Sequence, residues 1–331
     1  MPEAEAGSIR GLPRSAWRAA MLRAWHGFLR HRGIDSAAAL SFFSSLAFFP
    51  ASLAVVAAFE LGAGRDRAAE SILDIIGEVV QQRTVQTITE PITQLFEIGN
   101  PWLALVVGLV LALWSLSAYA TAFGRAVNTV YEVQEGRKIW RFRGTMLLLA
   151  AALLVLFAAI LVLLLTTPRI IDALEVAEPW RTTWNVGRWP ALLLLIALLI
   201  AALYYVTPAV RHDRMRWVST GAAFAIVAWA LATLGFGVYV AIIDGYDRVY
   251  GWLGGGLVLL LWLYVTNLTL VLGAEVDAEL VRLRQLRAGI AAEEVIQLPM
   301  RDTSRNLMLA RQRAADVEAS RSIREQHAPK D

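Results

Sequence analysis

The fold of this chain is decided by uncharged apolar stretches such as residues 144–167, which read GTMLLLAAALLVLFAAILVLLLTT. A helix rises about 1.5 Å per residue, so a stretch of this length spans the roughly 30 Å hydrocarbon core of a bilayer. Its apolar residues do not alternate with polar ones, as they would in a strand of an outer-membrane barrel. This stretch therefore predicts a transmembrane helix.

Five other stretches have the same character. The six predicted spans are residues 37–59, 101–123, 144–167, 189–207, 219–243 and 251–274. The composition agrees, with 57% hydrophobic and 18% charged residues and a mean hydropathy of +0.52. A soluble domain has about 45–50% apolar and about 25% charged residues. The sequence predicts an all-α, six-helix transmembrane bundle, and it excludes a soluble enzyme, a collagen and a disordered chain.

The orientation of the spans follows from the positions of lysine and arginine. Of these 31 residues, 24 lie before the first span, in loops 124–143 and 208–218, and after the last span. Basic residues concentrate on the cytoplasmic side of membrane proteins. We expect both termini in the cytoplasm, with residues 1–35 as a basic amphipathic segment, 36–280 as the transmembrane domain and 281–331 as a partly disordered tail.

Two segments outside the spans have a helical pattern. In residues 15–32, Trp17, Met21, Trp25 and Phe28 recur at helical spacing among arginines. This pattern suits a helix on the anionic headgroups of membrane lipids, and it equally suits a helix packed under the bundle. The external loop 60–100 carries two apolar stripes, which indicate either a structural lid or a cap over a cavity.

Ionisable residues gather at the cytoplasmic ends of three spans. Asp35 opens the first span, Arg125 follows the second and Glu275 follows the sixth. Charges are costly in the membrane and are usually paired there. We expect these three residues to form an ion-pair cluster at the cytoplasmic rim. It would serve either as a staple between helix ends or as a binding site for a headgroup or substrate.

Polar and tryptophan side chains inside the spans are the candidates for a cavity. Pro50 removes one backbone donor and predicts a bend in the first span. Small hydroxylated residues also mediate packing between membrane helices, so packing is the alternative. The candidate cavity-lining residues are Ser41, Ser44, Ser45, Trp114, Ser115, Ser117, Trp229, Trp262, Tyr264 and Asn267.

Signals for catalysis are missing from the sequence. There is no cysteine, and the four histidines, His26, His31, His212 and His327, are scattered. They do not have the spacing of metal ligands on one helix. A net charge of +3 does not indicate a nucleic-acid partner. We expect no enzymatic activity, metal, cofactor or nucleic acid.

Several motifs at the ends of the spans resemble one family of bacterial inner-membrane proteins, the YihY/BrkB family. The closing helix carries the closest match, in Tyr250-Gly251, residues 261–264 (LWLY) and Gly273-Ala274-Glu275. The other matching positions are Asp35 with residues 40–50 (LSFFSSLAFFP), 113–115 (LWS), Asn128, Tyr131, Glu135, Arg137, Pro208, Trp217, Gly221-Ala222, Trp229, Phe236 and Tyr239. Asp277 departs from the pattern, which has asparagine there.

The resemblance implies a six-helix protein of the bacterial inner membrane that is linked to envelope integrity. For some relatives the movement of lipid precursors has been suspected. The family also carried the label ribonuclease BN, but a metal-dependent nuclease of that kind needs a cluster such as HxHxDH, which this sequence lacks.

Two functions are compatible with these observations. The first is a carrier or flippase-like protein for a lipid or amphipathic solute, which the hydroxyl-rich spans, the deep tryptophans and Pro50 favour. The second is a non-transporting scaffold that organises envelope machinery through its tail and external loop. A nuclease is a distant third.

Overall fold

The computed structural model describes residues 13–64, 100–165, 178–211, 220–242 and 253–326. Most of these residues belong to eight helices. They are α1 (Arg14–Arg30), α2 (Gly33–Ala63), α3 (Pro101–Val130), α4 (Ile139–Leu165), α5 (Glu178–Val206), α6 (Thr220–Ile242), α7 (Leu253–Arg287) and α8 (Ser304–Gln326). Within the described ranges, the one β pairing is an isolated antiparallel bridge between Val210 and Met300.

Helices α2 to α7 are each long and apolar enough to cross a membrane. This confirms the predicted all-α, six-span architecture. The apolar segments are longer than predicted at both ends of the domain, where they run from Gly33 to Gly62 and from Gly254 to Arg287. The predicted span ends at residues 167, 219, 243 and 251 lie outside the described residues, as do both apolar stripes of loop 60–100.

One end of the bundle carries both terminal parts of the chain, and we call it the terminal face. Here α2, α4 and α6 begin and α3, α5 and α7 end. The connecting segments of this end contact one another: Arg211 N donates to Pro299 O at 2.8 Å, and Arg305 N donates to Gly136 O at 3.0 Å. The terminal face therefore consists of α1, residues 131–138 and 207–211, and the chain that follows α7.

The six spanning helices form a ring in which each contacts the next, and α7 closes it by packing on α2. The most extensive interface is between α2 and α3, and among the described residues the smallest in the ring is between α5 and α6. Gly108 allows the α2–α3 approach, because a Cβ there would lie 2.9 Å from the carbonyl oxygen of Pro50. Pro50 lies inside α2, and the bend it predicts stays a prediction.

Helix α1 packs along the end of α7 and runs antiparallel to it. Its face Ala20, Ala24, Gly27 and Phe28 is buried, and Ala24 contacts the buried Val276 and Leu280. Gly27 leaves room for the Glu275 carboxylate, since a Cβ there would lie 2.6 Å from Glu275 Oε2. Of the two interpretations of the basic segment, packing under the bundle is the one observed, while a contact of α1 with headgroups stays a prediction.

Part of the chain after α7, for which a partly disordered tail was expected, folds back on the bundle. Residues 288–303 fold back on the bundle, where Gln285 and Gln297 exchange two hydrogen bonds with lengths of 2.7 and 3.0 Å. Arg282 Nη1 also donates to Ala292 O at 2.7 Å. Backbone groups of the tail are thus paired with buried side chains of α7, which composition alone does not predict. Helix α8 follows and has no buried residue.

The contact between α6 and α7 gives a first prediction. A Cβ at Gly221 would lie 2.2 Å from Asp277 Cβ and 2.7 Å from the carbonyl oxygen of Gly273. We expect Gly221→Ala to lower the free energy of unfolding by about 1–3 kcal/mol, the usual cost of overpacking. The measurement is the thermal unfolding midpoint of the purified protein in detergent.

The matched control is Gly235→Ala on the same helix, where no atom lies within 4 Å of the added Cβ. We expect its midpoint to be equal to or slightly above that of the unchanged chain, because alanine favours a helix more than glycine does. Equal midpoints for the two variants would contradict the proposed α6–α7 contact.

Candidate functional site

A layer of hydrogen-bonded polar side chains crosses the middle of the bundle. Tyr119 Oη donates to Asn267 Oδ1 at 2.9 Å, and Asn267 Nδ2 donates to Ser44 Oγ at 3.2 Å and to Leu263 O at 2.8 Å. The layer thus joins α2, α3 and α7. Asn267 is 1% exposed, and it lies about 12 Å along α7 from Glu275, since a helix rises 1.5 Å per residue. We call Ser44, Tyr119 and Asn267 the mid-bundle layer.

The other serine candidates are Ser41, Ser45, Ser115 and Ser117. The hydroxyls of the first two donate to backbone carbonyl oxygens of their own helix. Ser41 Oγ donates to Ala37 O at 2.7 Å, and Ser45 Oγ donates to Phe42 O at 2.8 Å. Ser115 is buried and Ser117 is partly buried. These positions agree with the packing alternative, because such bonds satisfy a hydroxyl without water.

Trp114 requires a correction. Its side chain is 70% exposed, whereas the buried face of α3 runs through Ala112, Ser115 and Tyr119. On a helix, positions i and i+4 share a face, and Trp114 falls on the other side. Trp114 therefore faces outward, and it does not line the interior of this bundle.

Three further candidates on α6 and α7 keep part of their surface exposed. Trp229 Nε1 donates to Thr266 Oγ1 at 3.2 Å, which gives the indole the partner that a deep tryptophan needs. Trp262 and Tyr264 are partly buried on α7. A role of these three residues in lining a cavity stays a prediction.

The halves of α4 to α7 that lie away from the terminal face are loosely packed. No described side chain is fully buried in residues 154–161, 183–191, 226–242 or 255–262. A Cβ at Gly235, Gly237, Gly255 or Gly256 would meet no atom within 4 Å. In the terminal half, by contrast, Met146, Leu203, Ala222 and Leu270 are buried. We call this part of the bundle, in which no described side chain is fully buried, the outer opening.

At the terminal face, Glu275 is buried and paired with a histidine. His31 Nδ1 lies 2.8 Å from Glu275 Oε1, and His31 Nε2 lies 3.5 Å from Glu132 Oε1. Arg30 Nη2 donates to the same Glu132 oxygen at 3.2 Å. These four residues connect α1, α7 and the segment after α3.

The ion-pair cluster expected from Asp35, Arg125 and Glu275 does not form. Asp35 and Arg125 are exposed, and among the described residues Glu275 has its ion pair with His31. The expectation was correct that Glu275 is a buried member of an ionic cluster, and it was wrong about the partners. His31 replaces them because the turn at Arg32, with φ of 53°, folds α1 back along α7.

The electrostatics at His31 favour its protonated form. The hydrogen bond to Glu275 raises the pKa of His31, against the desolvation that lowers it, and the charges of Glu275 and Glu132 add to the increase. Arg30 acts in the opposite direction. Protonation of His31 therefore strengthens the attachment of α1 to α7.

Asp277 joins a second set of elements on the opposite side of α7. Tyr131 Oη donates to Asp277 Oδ2 at 3.1 Å, and Gly221 N donates to Asp277 Oδ1 at 3.1 Å. Burial raises the pKa of the Tyr131 phenol, and the charge of Asp277 raises it further, so the phenol stays a donor. A carboxylate fits this position because both of its partners donate.

Asn128, Glu135 and Arg137 hold the end of α5. Arg137 Nη2 donates to Thr207 O at 2.7 Å, and Asn128 Oδ1 accepts from Ala209 N at 2.8 Å. Glu135 orients the guanidinium through Arg137 Nε at 2.7 Å. Burial works to raise the pKa of Glu135, but the bonds from Arg137 lower it overall. These residues therefore form hydrogen bonds with backbone groups at and just after the end of α5, which have no partners within the helix.

Sequence reasoning missed His31, Glu132 and the partners of Asp277. His31 and Glu275 are 244 positions apart, and no local spacing connects them. The signal that was available is the density of ionisable residues after Gly273, at Glu275, Asp277 and Glu279. In the described part of the chain, no group of three or more histidine, aspartate or glutamate residues is placed to hold a metal ion.

The fold and these polar layers define a polytopic helical membrane protein whose interior is closed by hydrogen bonds at one end. The chain belongs to the BrkB family, since the family model described as virulence factor BrkB matches residues 24–295. This match confirms the resemblance drawn from the motifs.

The similar proteins include the ribonuclease-like protein YfkH of Bacillus subtilis (strain 168), which is 28% identical over 77% of this chain and 93% of its own length. A UPF0761 membrane protein of Xanthomonas oryzae pv. oryzae is 25% identical over 78% of this chain and 60% of its own length. One of Alkalilimnicola ehrlichii is 26% identical over 75% of this chain and 55% of its own length. The chain thus spans somewhat more than half of these UPF0761 relatives. No solved structure matches it.

The raised pKa of His31 gives a second prediction, for His31→Gln. When a group has a higher pKa in the folded state than in the unfolded state, its protonation stabilises the fold. For histidine this stabilisation is complete below the unfolded-state pKa of about 6.5, and it is lost as the pH rises through the folded-state pKa. As the pH is raised from 6 to 9, we expect the thermal midpoint of the unchanged chain to decrease more than that of the variant. Glutamine keeps a hydrogen bond to Glu275 without titrating, so parallel pH profiles for the two proteins would refute the role of the imidazolium.

Proposed function

We propose that this chain is a carrier or flippase-like protein for a lipid or another amphipathic solute. The observation that carries the proposal is the asymmetric burial of α4 to α7, whose side chains are buried near the terminal face and are not fully buried in their other halves. The outer opening would accept acyl chains, because its side chains are almost all apolar. The mid-bundle layer lies between the outer opening and the terminal face.

The contacts of α6 support a mechanism by helix rearrangement. Within the apolar part of α6, 6% of the residues are buried, and its buried residues Gly221, Ala222 and Ala225 lie in the first turns. The interface with α5 is also the smallest in the ring. Movement of the outer half of α6 would leave these buried residues in place, whereas separation of α6 from α7 at Asp277 would break the hydrogen bond from Gly221 N.

We further propose that the protein lies in the bacterial inner membrane with its terminal face in the cytoplasm. The support is the distribution of arginine and lysine, with 24 of 31 on the side of the terminal face. The outer opening then faces the periplasm or the outer leaflet.

This orientation gives a third prediction, which reporter fusions test. We expect alkaline phosphatase, which folds only after export, to be active when fused after Glu97 and inactive when fused after Asp331. A fluorescent protein that folds only in the cytosol should show the reverse pattern. A fluorescent fusion after Glu97 would refute the orientation, and equal activity at both sites would refute the alternation of the spans.

Transport itself gives a fourth prediction. We expect liposomes that contain the purified chain to expose a fluorescent phospholipid of the inner leaflet to dithionite faster than protein-free liposomes. Gly256→Trp should reduce this rate severalfold, because an indole would occupy the outer opening, where Gly256 has no neighbour within 4 Å. Gly144→Trp is the matched control, since it is equally free of neighbours but lies at the start of α4 on the terminal face.

A scaffold is the second candidate, and the exposure of nearly all described side chains of α8 favours it. Deletion of residues 304–331 separates the two functions, because it removes α8 and keeps residues 288–303 on the bundle. Lipid movement that survives this deletion and is reduced by Gly256→Trp would support transport. Rates equal to those of protein-free liposomes for several lipid classes would count against it.

The name of the Bacillus relative raises the question of ribonuclease activity. We propose that this chain is not an enzyme, and the support comes from its residues. The four histidines His26, His31, His212 and His327 form no HxHxDH motif. His31 is engaged with two carboxylates in the attachment of α1, which is a structural use of the side chain.

A further inference from the structure

Arg188 lies on the inward face of α5 at the outer end of the bundle. The buried residues Leu192 and Ile200 and the core-packed Ile196 follow it at intervals of four. Positions i and i+4 lie on the same side of a helix. Arg188 therefore continues the stripe that faces the other helices, at the level of the outer opening.

The guanidinium of Arg188 has no anionic partner in the described part of the chain. Its Nε is buried and without a hydrogen bond, and the group lies 5.3 Å from the centre of the Trp189 ring. The buried Arg137 and Arg282 differ, since each is paired with a glutamate and with backbone carbonyls. A buried donor without an acceptor is unusual in a native protein.

No acidic residue lies in the four half-helices beside Arg188. In residues 154–161, 183–191, 226–242 and 255–262, which form the outer opening, Arg188 is the one charged residue. A positive charge next to apolar side chains attracts an anion more strongly than it would in bulk water.

We propose that Arg188 binds the anionic oxygens of a ligand headgroup at the mouth of the outer opening. The inference rests on the proposed function and specifies its substrate class as an anionic amphiphile, with a phosphate or carboxylate on Arg188 and its chains along the glycines of α6 and α7. Guanidinium donors match such oxygens in a bidentate geometry. Trp189 lies against the guanidinium in a cation–π contact, with the centre of its ring 5.3 Å from Arg188 Cζ.

The experiment measures binding to the purified full chain in detergent, without transport. The probes are dioctanoyl phosphatidylglycerol, dioctanoylglycerol as its uncharged counterpart, and inorganic phosphate. We expect Arg188→Gln to weaken phosphatidylglycerol binding by about tenfold or more, the scale of a lost charged hydrogen bond. Binding of dioctanoylglycerol should not change, and Arg188→Lys should recover part of the affinity.

Arg143→Gln is the control for charge, since Arg143 is exposed at the start of α4 and lies on the terminal face. It should leave all three affinities unchanged. Thermal midpoints equal to that of the unchanged chain would establish that the variants are folded. If inorganic phosphate binds with the same dependence on Arg188, the site is supported and soluble anions are included among its ligands.

Equal phosphatidylglycerol affinity in Arg188→Gln and the unchanged chain would overturn the inference. The experiments distinguish failure of the proposed anion site from failure of the proposed transport function. Lipid movement that is unaffected by Arg188→Gln would leave transport intact and refute the anion site. Arg188-dependent binding without any lipid movement would keep the site and refute transport.

Discussion

The burial of charged and amide side chains on the last turns of α7 is the constraint on which the terminal half of this protein depends. Glu275, Asp277, Glu279, Arg282 and Gln285 are all buried, and each is paired with another element or with its neighbour. Glu275 and Glu279 attach α1 through His31 and Arg23, with distances of 2.8 and 3.1 Å. Asp277 attaches α6 and the segment after α3, while Arg282 and Gln285 hold the returning chain. A buried charge that loses its partner is strongly destabilising, so these attachments depend on one another.

Residues 154–161, 183–191, 226–242 and 255–262 of the other half contain no ion pair between buried side chains. Its described residues in α4 to α7 are almost all apolar, and between helices in lipid an apolar side chain gains little over contact with acyl chains. Gly108 allows the backbones of α2 and α3 to approach each other. The two halves therefore differ in chemistry, because buried charged and amide side chains attach the helices at the terminal face and the described outer half-helices are mostly apolar. The proposed carrier function depends on this difference.

The candidate site shows which inferences from sequence are dependable. Asn267 was chosen as a polar residue inside a span, and it is indeed buried and fully hydrogen-bonded, but to Tyr119, which was not among the candidates. Trp114 was chosen for its depth, yet it faces outward, since depth along a helix does not determine the side on which a residue lies. Glu275 was expected in an ionic cluster, and the cluster exists with His31, whose isolation in the sequence had counted against a role for it.

The sequence by itself determined the number of crossings and the presence of helix in each, because an uncharged stretch of this length can satisfy its backbone in hydrocarbon only as a helix. It also determined the family, through residues at the ends of the spans. Only the tertiary structure decided the partners of the buried charges, the return of residues 288–303 and the low burial of the outer half-helices. These features arise from contacts between residues as distant as His31 and Glu275, and a one-dimensional pattern contains no information about which faces of two helices meet.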